Sequence, residues 1–194
     1  MPSIIRPAFV VFGALSLLCG VLYPAAVTSI GRVAFAHEAG GSLIDAGGRT
    51  VGSTLIGQPF SKPGYFWGRP SATAPMANNA AGSGGSNQGP TNPALLKAAG
   101  DRVASLKKAD PGNRAPVPVD LVTASASGLD PDISLAAAHY QAGRVAAART
   151  LPEPEVRALI DANRKEPAFG FLGEPRVNVL ALNLALDARS PLAR

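Results

Sequence analysis

Between Arg6 and Arg32 the chain carries no charged side chain. The stretch from Ala8 to Ile30, AFVVFGALSLLCGVLYPAAVTSI, is apolar almost throughout. A helix rises about 1.5 Å per residue, so roughly twenty residues cover a hydrocarbon core of about 30 Å. The stretch therefore reads as one bilayer-length helix. Gly13, Gly20 and Pro24 within it are tolerated in such helices, and the glycines let a neighbouring helix approach closely. The rest of the chain is polar and rich in Gly and Pro, so the chain divides into an anchor and a water-facing part.

A cleaved signal peptide is the competing reading. Arg6 supplies a basic start, and Ala34-Phe35-Ala36 has the small-x-small form of a cleavage site. Length argues against it, because the apolar part of a signal peptide runs to roughly 7–15 residues. A retained span is therefore expected, with a cleaved periplasmic binding protein or enzyme as the alternative. One Arg in a short N-tail favours an N-in orientation. The resulting division is residues 1–7 as a cytoplasmic tail, 8–36 as the transmembrane helix and its extension, and 37–194 as one extracytoplasmic domain.

The chain has 194 residues with 21 Gly and 18 Pro, and only 6% are aromatic, which predicts a core of Leu, Val and Ala with many turns. Its formal charge of +5 is scattered rather than massed, so no nucleic-acid partner is expected. Cys19, the single cysteine, lies in the apolar stretch. The water-facing part thus has no thiol for a disulfide, a metal or nucleophilic catalysis.

Ser42 to Gly57 predicts a hairpin turning at Ala46-Gly47-Gly48. Residues 58–73 gather Phe60, Tyr65, Phe66 and Trp67 into a local aromatic core or an interface. Residues 77–93 (ANNAAGSGGSNQGPTNP) have the composition of a flexible linker, with an ordered contact loop as the alternative. Asn92 and Pro93 are suited to start a helix whose apolar face is Leu95, Leu96, Ala99, Val103 and Leu106, stopped by Asp110-Pro111-Gly112. Val117 to Thr123 reads as extended. Ser134 to Thr150 predicts a helix with Ala137, Tyr140, Val145 and Ala148 inward and Arg144 and Arg149 outward. Residues 152–164 predict another, with Glu153 and Glu155 at its N-terminal end. Leu180, Leu182, Leu184 and Leu186 alternate, which points to a strand over 176–187 whose end can turn helical. Helices and short strands mix without a βαβ rhythm, so the fold class is α+β: a single N-terminal transmembrane helix followed by one compact mixed α/β domain.

Catalytic signatures are missing. The glycines of 82–89 precede no Lys-Ser or Lys-Thr pair, so they form no Walker loop. His37 and His139 lack partners at metal-ligand spacing. Asp120 and Asp130 can in principle form a carboxylate pair, but Asp130 before Pro131 reads as a turn residue.

Several segments, taken together and in order, resemble the C subunit of the bacterial Kdp potassium-transporting ATPase. They are Gly52-Ser53 with Leu55-Ile56-Gly57-Gln58; Tyr65-Phe66 with Gly68-Arg69-Pro70-Ser71-Ala72-Thr73; Ser83-Gly84-Gly85-Ser86-Asn87 with Gly89-Pro90-Thr91-Asn92-Pro93; Val117-Pro118 with Asp120-Leu121-Val122-Thr123-Ala124-Ser125; Ser127-Gly128-Leu129-Asp130-Pro131; Arg144-Val145-Ala146 with Ala148-Arg149; and Gly173-Glu174 with Val177-Asn178-Val179-Leu180, then Leu182-Asn183. The resemblance implies an inner-membrane pump in which this subunit joins a potassium-selecting subunit (KdpA), a P-type ATPase subunit (KdpB) and a small single-span subunit (KdpF). It implies a periplasmic domain, a role in assembly, and a chaperone-like effect raising the ATP affinity of the ATPase subunit, so that ATP is the one cofactor it brings into view. The chain itself lacks the Asp-Lys-Thr-Gly phosphorylation motif, and a non-catalytic subunit is expected. On this basis Tyr65, Phe66, Arg69, Ser83, Gly84, Gly85, Ser86, Asn87 and Asn92 are candidates for partner contact, and Gln141 with the Ser-Gly-Gly loop for the nucleotide effect.

Overall fold

The computed structural model describes residues 4–192 and divides the chain into two units, Met1–Leu43 and Ile44–Arg194. The first three residues of the expected N-tail lie outside the described residues. In the first unit one continuous helical rod runs from Ile5 to Ala34, 30 residues, or about 45 Å at the helical rise. It comprises α1 (Ile5–Leu17), a π-helical turn (Leu18–Leu22) and α2 (Tyr23–Ala34), and a short α3 (Ala36–Ala39) comes next. The wide turn has a local cause. Pro24 has no N–H to give to the carbonyl four residues back, and the Tyr23 N–H bonds instead to Leu18, five residues back. Large apolar side chains are exposed along the rod, as bilayer-facing residues would be, Phe9 at 75% and Phe12 at 71% among them.

Where the second unit begins, β1 (Leu43–Ala46) and β2 (Arg49–Ser53) form the expected hairpin. Gly47 and Gly48 turn it with φ of 59° and 74°, the left-handed pair that a two-residue hairpin turn requires. Then come α4 (Pro93–Ala109), β3 (Asp132–Ser134), α5 (Leu135–Arg149), α6 (Glu153–Ala162), β4 (Arg164–Lys165), β5 (Arg176–Asn178) and α7 (Val179–Arg189). β5 is the centre of a three-stranded antiparallel sheet, with Val177 opposite Ile133 on one side and Arg164 on the other. Ile133 and Val177 bury against α5, α6 and α7, whose Ala137, Ala142, Val145, Val156, Ile160, Leu182 and Leu186 complete the core. The small alanines of α5 let α6 pack closely along it. The mixed α and β composition is as expected, and the caps are those the residues suggest: Asn92 accepts the Ala94 N–H at 2.9 Å and Ser134 the Ala137 N–H at 3.0 Å.

Five expectations change. Residues 117–123 form a 3-10 turn (Val119–Leu121) rather than an extended run, because Thr123 closes back on the Val119 carbonyl through both its N–H and its hydroxyl. The strand at 176–187 ends after three residues and becomes α7. Asn178 caps it by accepting the Ala181 N–H at 3.0 Å, and the Leu/Ala run after it has high helix propensity. The alternating leucines fit because Leu180, Leu182 and Leu186 are all buried in a helix packed on several sides. Leu96 is 66% exposed, the α4 face being centred on Leu106 instead. Residues 77–93 are pinned rather than free, because Asn78, Asn79 and Gly84 give their N–H groups to Ser71, Thr73 and Ser127. Finally, Arg144 and Arg149 point inward, each 6% exposed, while Ala148 faces out.

Candidate functional site

The inward arginines belong to a clamp on the segment Pro63–Trp67, which turns at Pro63-Gly64 and then runs on as irregular chain. No strand among the described residues pairs with it, so its backbone polar groups need other partners. Side chains of α5 and α7 supply them. Arg144 Nη1 donates to the carbonyls of Pro63 and of Tyr65, the latter at 3.0 Å. Arg149 Nε donates to the Gly64 carbonyl at 2.6 Å. Asn183 brackets Phe66, accepting its N–H at 2.8 Å and donating to its carbonyl at 3.0 Å. Gln141 does the same for Trp67, at 2.9 Å and 3.1 Å. Two carboxamides thereby stand in for a neighbouring strand.

The clamp is tied to itself as well. Arg144 Nη2 donates to Gln141 Oε1 at 2.6 Å, and its guanidinium lies 4.3 Å from the centre of the Trp67 ring. Arg149 Nη2 pairs with Asp187 at 2.8 Å, and its guanidinium lies 4.8 Å from the centre of the Tyr65 ring. The Tyr65 hydroxyl also donates to Asp187, at 3.0 Å. Burial pushes the Arg144 pKa down to about 10, partly offset by Asp110. It therefore stays cationic at neutral pH, and its contacts are those of a charge. Burial and the hydrogen bond to Asp187 push the Tyr65 phenol up, against Arg149.

A second group lies at the surface. Arg69 Nη1 pairs with Asp130 at 2.9 Å, both side chains being about a quarter exposed (26% and 30%). Asp130 also accepts the Asp132 N–H at 3.0 Å, and Asp120 accepts the Ser134 N–H at 2.8 Å. Both carboxylates thus line one 260 Å³ cleft with Arg69 and Arg176, but each is engaged in holding the chain. On its other side Arg69 borders a 570 Å³ cleft walled by Ser125, Ser127 and Leu129. Against that loop lies the glycine segment. Gly84 donates its N–H to the Ser127 carbonyl at 2.9 Å, and the Ser83 hydroxyl donates to the same oxygen at 3.1 Å. A side chain on Gly85 would lie 2.9 Å from the Ala126 carbonyl, and one on Gly128 (φ 68°) would lie 2.5 Å from Thr73. Ser71 and Thr73 fix the approach to the loop. The Ser71 hydroxyl donates to the Gly128 carbonyl at 2.7 Å and accepts the Asn78 N–H at 2.9 Å, and Thr73 accepts the Asn79 N–H at 3.0 Å.

The candidates from the sequence therefore separate. Tyr65, Phe66 (0% exposed) and Gln141 (1% exposed) meet in the clamp. Arg69, Ser83, Gly84 and Gly85 meet around the Ser125–Asp130 loop. Ser86 and Asn87 are exposed, Asn87 with a left-handed φ of 50°. Asn92 is a helix cap. Arg144, Arg149 and Asn183 stand in segments that carry the resemblance but are not among the site candidates. Asn183 carried a signal, as a lone amide in a Leu-rich run.

One bilayer-length apolar rod joined to a small α+β domain is the build of a single-anchor membrane protein. The family profile described as KdpC: K+-transporting ATPase, c chain matches residues 5–188. Proteins called potassium-transporting ATPase KdpC subunit match over nearly their whole length. That of Herminiimonas arsenicoxydans is 64% identical over 96% of this chain and 98% of its own. That of Methylibium petroleiphilum is 62% identical over 98% and 100%, and that of Methylococcus capsulatus 62% over 94% and 96%. The chain belongs to the KdpC family, the c-chain subunits of potassium-transporting ATPases.

Proposed function

We propose that this chain is a non-catalytic docking subunit that assembles and stabilises the potassium-transporting complex. In this reading the rod stays in the inner membrane, and the α+β domain lies on the periplasmic side. Its partners are the potassium-selecting and P-type ATPase subunits (KdpA, KdpB) and the small single-span subunit KdpF. The observation that carries the reading is the surface around Arg69. Two polar loops interlock there through backbone contacts, giving a rigid relief with exposed Ser86 and Asn87 beside fixed charges. Such preorganised polar relief suits recognition of another protein.

An effect on ATP affinity would then be indirect. A periplasmic domain cannot touch a cytoplasmic nucleotide, so it must bias a partner that has two states. Gln141, whose carboxamide is fully engaged with Trp67, Arg144 and Ala137, serves this scheme by holding the domain's shape.

The test is co-purification through a tagged ATPase subunit of the Asn87→Ala and Arg69→Ala double variant. Reduced stoichiometry of this chain is expected, with its circular dichroism and melting checked alongside because Arg69 also pairs with Asp130. Retention at normal stoichiometry with normal transport rejects the docking surface. Protease treatment of sealed spheroplasts tests the topology: cleavage of the domain from outside is expected, and protection rejects it.

A further inference from the structure

Between β4 and β5 the chain makes a tight projection, Pro167 to Gly173, with no charged residue in it. Its side chains face out: Phe169 is 87% exposed, Phe171 75% and Leu172 53%. Phe169 holds a left-handed φ of 54°, uncommon for an aromatic residue, and Gly170 after it lies at 78°. The turn thus displays two rings and a leucine to solvent instead of folding them under. Elsewhere in this domain the larger aromatics are gathered in or against the core, as Phe66, Trp67 and Phe60 are.

The backbone of this projection is closed on itself. The Ala168 N–H bonds to the Leu172 carbonyl at 3.1 Å, Gly170 to Pro167 at 3.0 Å, Phe171 to Ala168 at 3.3 Å and Leu172 to Ala168 at 2.9 Å. Pro167 has no N–H to satisfy. Four of the tip's N–H groups are thus paired within it, which lowers the cost of taking it out of water. At its base Arg164 and Lys165 stand on one side and Arg176 on the other, with Glu166 paired to Arg164 and Arg176 paired to Asp132. Among the described residues Lys165 is in no ion pair, and it is exposed. Glu166 and Glu174 flank the tip directly, so its base carries both signs, and it is the exposed aromatic tip itself that suits the water–lipid interface. The rod joined to this domain keeps a bilayer at high effective concentration.

We infer that the Phe169-Gly170-Phe171-Leu172 tip is a second membrane contact, inserting its rings into the lipid interface to the depth of the headgroup–acyl boundary. The contact is separate from the Arg69 surface and does not depend on the docking role.

The test uses the full chain in nanodiscs of phosphatidylcholine and phosphatidylglycerol. An environment-sensitive NBD label is placed on Phe171→Cys in a Cys19→Ser background, with Phe169→Cys as a second site and exposed Leu96→Cys on α4 as the control. Circular dichroism checks each fold. At both tip sites, blue-shifted emission is expected, with quenching by lipid carrying a doxyl group near the top of the acyl chain at least twofold stronger than at Leu96. Emission and quenching equal to the control, with full access to aqueous iodide, overturns the inference. So does a blue shift that appears only when the other pump subunits are present, which would assign the tip to a protein pocket.

Discussion

Gln141 is the residue at which the clamp can be tested most sharply. Replacing it with Ala removes the acceptor for the Trp67 N–H and Arg144 Nη2 and the donor to the Trp67 carbonyl. Each neutral group left unpaired in a buried site costs about 1–3 kcal/mol, and a charged donor more. Trp67 is only half-buried, so water recovers part of its loss, and the lower end of that range applies to it. About 1 kcal/mol for each Trp67 group and about 1–2 kcal/mol for Arg144, which keeps its Nη1 bonds to the Pro63 and Tyr65 carbonyls, give roughly 3–4 kcal/mol before any lost packing. With a urea slope of about 2 kcal/mol/M, the unfolding midpoint falls by about 2 M. Trp67 is the only tryptophan and sits in the clamp itself, so its fluorescence during urea unfolding of the detergent-solubilised chain is the natural readout. Gln141→Glu keeps the acceptor and adds a carboxylate beside Arg144 while losing the donor, and should cost about 1–2 kcal/mol. A midpoint shift for Ala below about 0.5 M, or a Glu variant weaker than the Ala variant, would refute the reasoning that this amide substitutes for a strand.

Other changes probe other parts. Tyr140 is 8% exposed and its hydroxyl meets no partner among the described residues, so Tyr140→Phe should be neutral or stabilise by about 1 kcal/mol in the same urea assay. The same burial, with Asp110, pushes the Tyr140 phenol up. Above the ordinary tyrosine range the folded state therefore binds more protons than the unfolded one, and stability falls as pH rises; Tyr140→Phe should soften that alkaline loss in melts taken across the window. Asp187→Ala removes the counter-charge of Arg149, whose side chain is 0% exposed, but Asp187 itself is 36% exposed. Solvent screening brings the loss to about 2 kcal/mol, seen as a lowered urea midpoint. Gly128→Ala forces a side chain into a left-handed position already crowded by Thr73 and Gly84, and should release the 83–85 loop. Hydrogen exchange there should quicken while α5 and α7 stay protected.

The elements legible from sequence are those whose cause is local. Gly47-Gly48 can turn a two-residue hairpin because glycine accepts positive φ at both positions. Asn92-Pro93 starts α4 because an amide cap and a ring-fixed φ act on the next few residues. The alternating leucines of α7 misled because spacing was read without its cap: Asn178 commits the chain to a helix, and burial on several sides removes the single apolar stripe that a helical period needs to show. The linker reading of 77–93 failed for a related reason. Ser, Asn and Gly suit flexible chains, and they equally suit a loop whose contacts are made through backbone and short polar groups.

The amino-acid order alone set the bilayer-length rod, the hairpin, the starts of α4, α5 and α6, and the family. Only the tertiary structure decided that Arg144 and Arg149 point inward and that Gln141 and Asn183 grip Trp67 and Phe66. These partners lie far apart in the chain, and what they bind is backbone. A carbonyl or an N–H looks the same at almost every position, so no pattern of residue types marks which one a distant side chain will find. That choice follows from where packing carries segment 63–67 between α5 and α7.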